Sequence, residues 1–385
     1  MSEAVEISEV RSRAGKSAFI KFPWTIYAND PAWIPPLILE RRQFLDRKRH
    51  PFYLHGDACL FLARRNGKIV GRIAASDDPN YNAEHGSNVG CFGMFESIND
   101  HDVSTALFDA AANWLRKKGR DEIIGPIDYS TNYVCALLID GFEYPPTVLM
   151  AHNPRYYAEL IEHWGFEKAK DWYAWWMEDP NFAYRRLKRI ASRFEKKSPA
   201  TLRPGNLKEI EAESERLREV YNKAWEKNWG FVPFTKPEFD HLRKELMPIL
   251  IPEFVWLAEV EGKPVGFGLA VPNINEVMKK INGRLTTFGI PIGLVKLLYY
   301  KSRIKTGRLV ALGVIPEFRR FGIAEMLVLK AVEYVMVKRG IKGELSMTLE
   351  DNVLINRLIE AVGARRYKTY RIYRRGLNGA GRTVL

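Results

Sequence analysis

The chain has 385 residues, 46% of them hydrophobic, and 59 lysines and arginines against 46 aspartates and glutamates, a net charge of +13. That length allows more than one domain, and the composition excludes wholesale disorder. The positive balance asks for an anionic partner, whether nucleic acid, an acidic membrane surface or a phosphorylated cofactor, and by itself does not choose among them. The opening residues MSEAVEISEVRSRAGKS lack the apolar core of a signal peptide. The cysteines Cys59, Cys91 and Cys135 lie far apart, without metal-ligand spacing, and read as buried small residues of a reducing compartment. The histidines form no cluster either, so no metal is expected.

The first recognisable element is a hairpin, LARRNGKIVGRIAA, from Leu62 to Ala75. A strand follows, VGCFGMFE, and then SINDHDVSTALFDAA, which begins a helix that stops at Lys117-Lys118-Gly119. After the segment IDYSTNYVCALLIDGFEYPP comes a helix-to-strand joint, HWGFEKAKDWYAWW, containing Gly165 and Lys170. A charged, low-apolar stretch then runs from Phe182 to Asn206 and reads as a boundary.

The same order of elements then returns. LAEVEGKPVGFGLA, from Leu257 to Ala270, repeats the first hairpin with Leu257, Ala258, Gly262, Lys263, Val265, Gly266 and Ala270 at matching positions. Lys338-Arg339-Gly340 ends a second long helix, and AVGARRYKTYRIYRR carries Gly363 and Lys368 at a second joint. This is a duplicated domain. The expected division is 1–180, a linker at 181–206, and 207–385.

The second copy contains an insertion with the run FGIPIGLVKLLYY, Phe288 to Tyr300, followed by KSRIK. It is shorter than the roughly 20 apolar residues of a membrane span. It reads as a core helix, as the lining of an apolar pocket, or as a segment lying on a membrane surface. Beyond it, RLVALGVI enters a helix through VIPEFRRFGIAEML. A helix N-terminus presents unpaired N–H groups and partial positive charge. Arg319 and Arg320 add full charge, while Gly322 and Ala324 let a ligand approach the backbone. An ordinary tight turn with solvated arginines is the competing reading. The next strand, ELSMTLE, alternates Glu344, Ser346, Thr348 and Glu350 with Leu345, Met347 and Leu349, which predicts one polar face. No Walker loop, G-x-S-x-G elbow or zinc spacing is present.

Hairpin, strand, Arg-x-x-Gly-x-Ala turn, helix, strand and an Asn-started helix ending in Gly: this order resembles the GNAT acyltransferase superfamily. Residues 319–324 match its Arg/Gln-x-x-Gly-x-Gly/Ala loop, and Asn352 to Gly363 match the spacing of its next motif. The resemblance covers about residues 202–374. The first half shows the elements without the loop and looks like a GNAT fold that has lost it. More narrowly, residues 344–375, NPRYYAELIEHWGFEKAKD and AWEKNWGF are similar to a group of bacterial tandem GNAT proteins that includes ceramide synthases.

The resemblance implies an α/β (α+β) chain of two tandem GNAT folds, each a mixed, mostly antiparallel sheet with helices on both faces. It implies an acyl-CoA co-substrate bound by Leu312, Gly313 and Val314 at the thioester, by Arg319, Arg320, Gly322 and Ala324 at the pyrophosphate, and by Asn352. Gly313 marks either a bulge that frees an N–H or the close packing of a neighbour. The position of the family's tyrosine acid is Ile359 here, which leaves Tyr367, Tyr370 and Tyr373 as candidates, Tyr370 among them being preferred. Glu350 reads as a base or amine anchor, and Asn352 as a cap for the next helix.

The implied activity is N-acyl transfer from an acyl-CoA to an amine with a long apolar tail, such as a sphingoid base. The implied location is the cytoplasm, with peripheral contact with an anionic inner-membrane surface and no specific nucleic acid. The rival readings are aminoacyl transfer from tRNA, acetyl-CoA-dependent acetylation and a non-catalytic acyl-CoA-binding regulator.

Overall fold

The computed structural model describes residues 4–286 and 289–378. The strands are β1 (Glu6–Glu9), β2 (Asp57–Arg65), β3 (Lys68–Asp77), β4 (Val89–Ser97), β5 (Glu122–Gly125), β6 (Leu137–Asp140), β7 (Glu167–Met177), β8 (Thr201–Pro204), β9 (Val255–Val260), β10 (Lys263–Pro272), β11 (Thr306–Val314), β12 (Lys342–Leu349) and β13 (Ala364–Gly376). Two compact units form. The first takes the chain up to Asp171, Ile281–Ile290 and the segment from Thr369 onward; the second takes Trp172–Lys280 and Pro291–Lys368.

In the first unit β1, β2, β3 and β4 are antiparallel neighbours, β4 and β5 run parallel, and residues 369–376 of β13 lie antiparallel to β5 and β6. Both faces of this sheet are covered. Along β2, Cys59, Phe61 and Ala63 enter one core while Ala58, Leu60 and Leu62 enter the other, as the two-residue period of a strand requires. Helix His101–Lys117 closes the first face with Leu107, Phe108 and Leu115, all fully buried. Each such side chain contributes about 1.5–3 kcal/mol.

In the second unit residues 172–177 of β7 lie antiparallel to β12, β12 and β11 run parallel, and β11, β10, β9 and β8 continue antiparallel. Val255 and Leu257 of β9 face helix Ile210–Trp225, while Trp256 and Ala258 face helices Pro180–Glu195 and Ile323–Ala331. The stretch 181–206, expected as a linker, thus supplies a helix and the strand β8 to this unit. Ala183, Leu187 and Ala191 recur every four residues among its charges and make one narrow buried stripe.

Both repeated hairpins form, with register Arg65↔Lys68 in one and Val260↔Lys263 in the other. Their two-residue loops, Asn66-Gly67 and Glu261-Gly262, hold both residues at positive φ, the geometry that suits strand twist. A Cβ on Gly67 meets nothing within 4 Å, whereas one on Gly93 would overlap the carbonyl oxygen of Ile127. Gly67→Ala is therefore expected to cost about 1–2 kcal/mol, the price of left-handed backbone alone. Gly93→Ala is expected to cost more than about 4 kcal/mol, because backbone must move. Thermal unfolding of the two variants side by side checks the order.

Candidate functional site

Two parallel strands that part company define the site. β11 and β12 pair only at Thr306↔Lys342, Gly307↔Gly343 and Arg308↔Glu344 among the described residues. Along its other edge β12 pairs with β7 from Gly343 to Leu349, while among the described residues β11 beyond Arg308 keeps only β10 as a strand neighbour. The edge of residues 309–314 is turned toward the opening. At its root lies a buried ion pair, Arg308 Nε to Glu344 Oε2 at 3.4 Å, with both side chains at most 4% exposed.

Two irregularities shape the opening. On β11, Val310 is the extra residue of a bulge, since Leu309 and Ala311 face the consecutive residues Ala270 and Leu269. On β12, Ser346 adopts φ +67°, and its hydroxyl donates to the Val310 carbonyl at 3.1 Å. Around it, Leu345 and Ser346 together oppose Trp175 of β7, because Glu344 pairs with Trp176 and Met347 with Ala174. This extra residue corrects the expectation of one polar face. Glu344 and Met347 share a face, and Thr348 lies on the other. Thr348 accepts from Trp175 Nε1 at 2.7 Å and donates to Asn356 Oδ1 at 2.6 Å.

Gly313 is paired with Phe267 and carries no bulge. A Cβ there would come within 2.7 Å of the Trp225 ring, so close packing accounts for this glycine. Leu312 beside it is half-buried against the core and Val314 is buried.

The strand leaves through Pro316–Phe321, a short 3-10 turn, into helix Ile323–Ala331. No side chain caps that helix, and Gly322 at its N-cap adopts φ +69°. Its first N–H groups and its dipole are therefore available to an anion. Arg320 is exposed, with its guanidinium 4.8 Å above the Phe321 ring. Arg319 is exposed as well but tied to the chain, with Nε donating to the Val314 carbonyl at 3.1 Å and Nη2 to the Ala224 carbonyl at 2.6 Å. It pins the turn to the last turn of helix Ile210–Trp225. Gly322 also has a second reason to lack a side chain, because a Cβ would overlap the ring of Phe194. Ala324 is half-buried in the first helical turn.

Because β11 and β12 are parallel, the turn after β12 lies at the same end of the sheet as this loop, which is where open α/β sheets take ligands. Glu350 occupies that turn, half-buried. Asn352 is exposed, and its side chain does not cap the helix Val353–Ala361. Asn356 ties strand to helix in its place, donating to the carbonyls of Leu349 at 3.1 Å and Glu350 at 3.5 Å. Ile359, at the position of the family's tyrosine acid, is buried. Leu312 to Ala324, Glu350 and Asn352 all belong to the second unit. Tyr370 belongs to the first, fully buried, with its hydroxyl donating to the Ala151 carbonyl at 3.1 Å. Tyr373 donates to Glu162 at 2.9 Å, and burial pushes its phenol up. Tyr367 is buried against Trp176.

The first unit starts from the same device and closes it. β4 and β5 pair at Val89, Gly90 and Cys91 and then part. There the chain itself enters: Ile127 N–H donates to the Phe92 carbonyl at 2.7 Å, and Met94 N–H to Asp128 Oδ1 at 2.9 Å. The following helix, His101–Lys117, is capped by Asp100, which accepts from Val103 N–H at 3.1 Å. A paired hydrogen bond from Arg65 holds the Asp100 carboxyl below its ordinary range, against the smaller opposing effect of burial. A carboxylate thus stands where an anion would bind. Among the described residues, no group of three or more His, Cys, Asp or Glu side chains is placed to hold a metal.

The family model described as "Acetyltransferase (GNAT) family" matches residues 214–363. "Protein YghO" of Escherichia coli (strain K12) is 38% identical over 363 residues, covering 92% of this chain and 91% of that protein. "Bacterial ceramide synthase" of Caulobacter vibrioides (strain NA1000 / CB15N) is 35% identical over 384 residues, covering 97% of this chain and 98% of that protein. Among solved structures, a tandem GNAT protein from the clavulanic acid biosynthesis pathway superimposes with a TM-score of 0.57 at 12% identity, over 98% of this chain and 100% of its own. That last likeness is one of fold.

Gly322→Ala is expected to lower the thermal midpoint markedly, and Phe194→Ala in the same chain to restore part of the loss, because the ring is what the new methyl meets. A double-mutant cycle in thermal unfolding reads the coupling. Arg319→Ala is expected to destabilise by about 1.5–3 kcal/mol, the worth of charge-assisted hydrogen bonds to partly buried carbonyls. Equal midpoints for the wild type and Arg319→Ala would remove its role as a strut.

Proposed function

The chain belongs to the GNAT acyltransferase family, and we propose that its second unit transfers a long acyl group from an acyl-CoA to an amine that itself carries a long apolar tail. The observation that carries this reading is the opening between β11 and β12 beside an uncapped, glycine-entered helix N-terminus. The residues present fit the co-substrate. An anion meets the N–H groups of the helix at residues 322–325, with Arg320 beside it, and the edge of residues 309–314, which β12 leaves without a strand partner among the described residues, is where an extended arm would pair. When bound, acyl-CoA supplies the activated thioester. The chain supplies position, hydrogen-bond donors and proton management.

An alkylamine with the basicity of lysine, pKa about 10.4, must lose a proton before it can attack. Glu350, at the mouth of the opening, is the proposed acceptor of that proton or anchor of the ammonium. Backbone N–H groups of Leu312 to Val314 are the proposed donors to the thioester carbonyl. The bulge at Val310 and the Ser346 hydrogen bond hold that edge apart from β12, which keeps it from being consumed by a ladder. A thiolate leaving group, of pKa about 8.5, needs a proton less urgently than an alkoxide and can take it from solvent. Tyr370 could donate one only by giving up the Ala151 carbonyl. The long-chain acceptor, with a sphingoid base as the specific proposal, is supported by the relative named bacterial ceramide synthase, which matches over 97% of this chain.

Incubating the protein with palmitoyl-CoA and sphinganine, with released thiol and the N-acyl product as readouts, tests the activity. Turnover with long-chain amines and none with aminoacyl-tRNA is expected. Stoichiometric binding of palmitoyl-CoA with no transfer to any amine would leave a non-catalytic binder. Glu350→Gln is expected to lower kcat by about 10²–10⁴-fold, as loss of a general base does, with affinity for acyl-CoA retained.

Calorimetry on the full chain is expected to give one acyl-CoA per chain, since the first unit fills its own opening and caps its helix with Asp100. Two sites of comparable affinity would contradict that. Arg320→Ala is expected to weaken the single site by roughly tenfold or more, with the gap between variant and wild type narrowing at high salt.

A further inference from the structure

Helix Ile292–Lys301 lies in the apolar insertion, whose Phe288 is outside the described residues. It packs through one face. Gly293 is buried and Leu297 and Tyr300 are half-buried, at positions i, i+4 and i+7. The opposite arc is apolar and bare: Val295 is 62% exposed, Leu298 66% and Tyr299 53%, with Ile292 and Leu294 at 42% each. A contiguous apolar surface of this kind is unusual in water unless something covers it. At 100° per residue, Lys296 and Lys301 fall on the two opposite shoulders of that arc. Two further cations stand by it. Arg303 lies 4.1 Å above the Tyr299 ring, and Lys280 3.6 Å above the Tyr300 ring.

We propose that this helix docks the protein on an anionic lipid bilayer, lying in the interface with its apolar arc in the acyl boundary and its cations among the head groups. The inference does not depend on the acyl-transfer reading. Ten residues of helix span about 15 Å, half the thickness of a hydrocarbon core, so the segment lies on the membrane and does not cross it. Among the described residues, no helix is long and apolar enough to cross. The charge pattern selects the occupant. A second copy of this chain would bring two cationic rims face to face, whereas acidic head groups neutralise the rim while the acyl region takes the apolar arc. Aromatic rings with cations stacked on them, Tyr299 and Tyr300, have the amphipathic character suited to that depth.

The test is co-sedimentation of the full chain with vesicles of phosphatidylcholine containing one-quarter phosphatidylglycerol, against vesicles of phosphatidylcholine alone. Binding to the acidic vesicles and little to the neutral ones is expected. Val295→Glu with Leu298→Glu is expected to abolish it, with an unchanged thermal midpoint, because both side chains already face outward. Lys296→Gln with Arg303→Gln is expected to weaken it about 25-fold, near fivefold for each cation removed. If the carboxylate pair fails to fold, the glutamine pair carries the test. Absence of binding by the wild type, equal binding to both vesicles, or undiminished binding by the variants overturns the proposal. So does a wild-type dimer in light scattering that the carboxylate pair splits, since the arc would then be a self-contact.

Discussion

Everything at this site follows from a ladder that stops. Parallel strands ordinarily bury both edges in hydrogen bonds, and each buried N–H left without a partner costs about 1–3 kcal/mol. β11 and β12 pair for three residues and then diverge, which leaves one edge of β11 without a strand partner among the described residues. The divergence is built from two backbone irregularities, at Val310 and Ser346, joined by one hydrogen bond. Two helices hold the walls. Helix Ile210–Trp225 presses Trp225 against Gly313, and helix Pro180–Glu195 presses Phe194 against Gly322. The opening is thus a property of packing on both faces of the sheet, and a ligand need not create it.

Duplication has given the same device two fates. In the first unit the parting strands are filled by the chain's own Ile127 and Asp128, and the helix dipole is answered by Asp100. An internal carboxylate at an N-cap is always present at full effective concentration, so a dissolved anion cannot compete well with it. Among the described residues of the second unit, no side chain caps helix Ile323–Ala331 and no strand pairs with β11 beyond Arg308 on its β12 side. The exchange of terminal strands adds a further asymmetry: residues 172–177 of the first repeat are placed in the second unit, and residues from Thr369 on in the first. Neither unit is therefore made from one continuous stretch of chain.

The basic loop divides its labour more finely than a charge count suggests. Arg319 directs its donors to the Val314 and Ala224 carbonyls and so fixes where the turn points. Arg320 keeps its charge at the surface. Likewise Gly322 serves the left-handed turn and the approach of Phe194 at once, which makes the residue intolerant of substitution whether or not a ligand is bound. A loss of activity on changing Arg319 or Gly322 would report on architecture first.

Local pattern makes much of this legible in the sequence. The twin hairpins with their Asn-Gly and Glu-Gly loops, the strand–Arg-Arg-x-Gly-x-Ala–helix unit, and the glycine stops of the long helices all rest on interactions within a few residues of each other. Those interactions are the same wherever the segment sits. The polar stripe of ELSMTLE, the cap by Asn352 and a bulge at Gly313 are not what the structure contains: the stripe and the bulge are decided from across the fold, and the helix entry by a side chain one turn further on. Trp175 opposes two residues of β12, Asn356 takes the carbonyls beside the helix that Asn352 is expected to cap, and Trp225 fills the space above Gly313. A charged stretch becomes a helix because three apolar residues, Ala183, Leu187 and Ala191, meet a core that the sequence around them does not show. Composition and period determined which elements exist. Only tertiary packing decided which strand edge stays open, since that edge is defined by the partners it lacks.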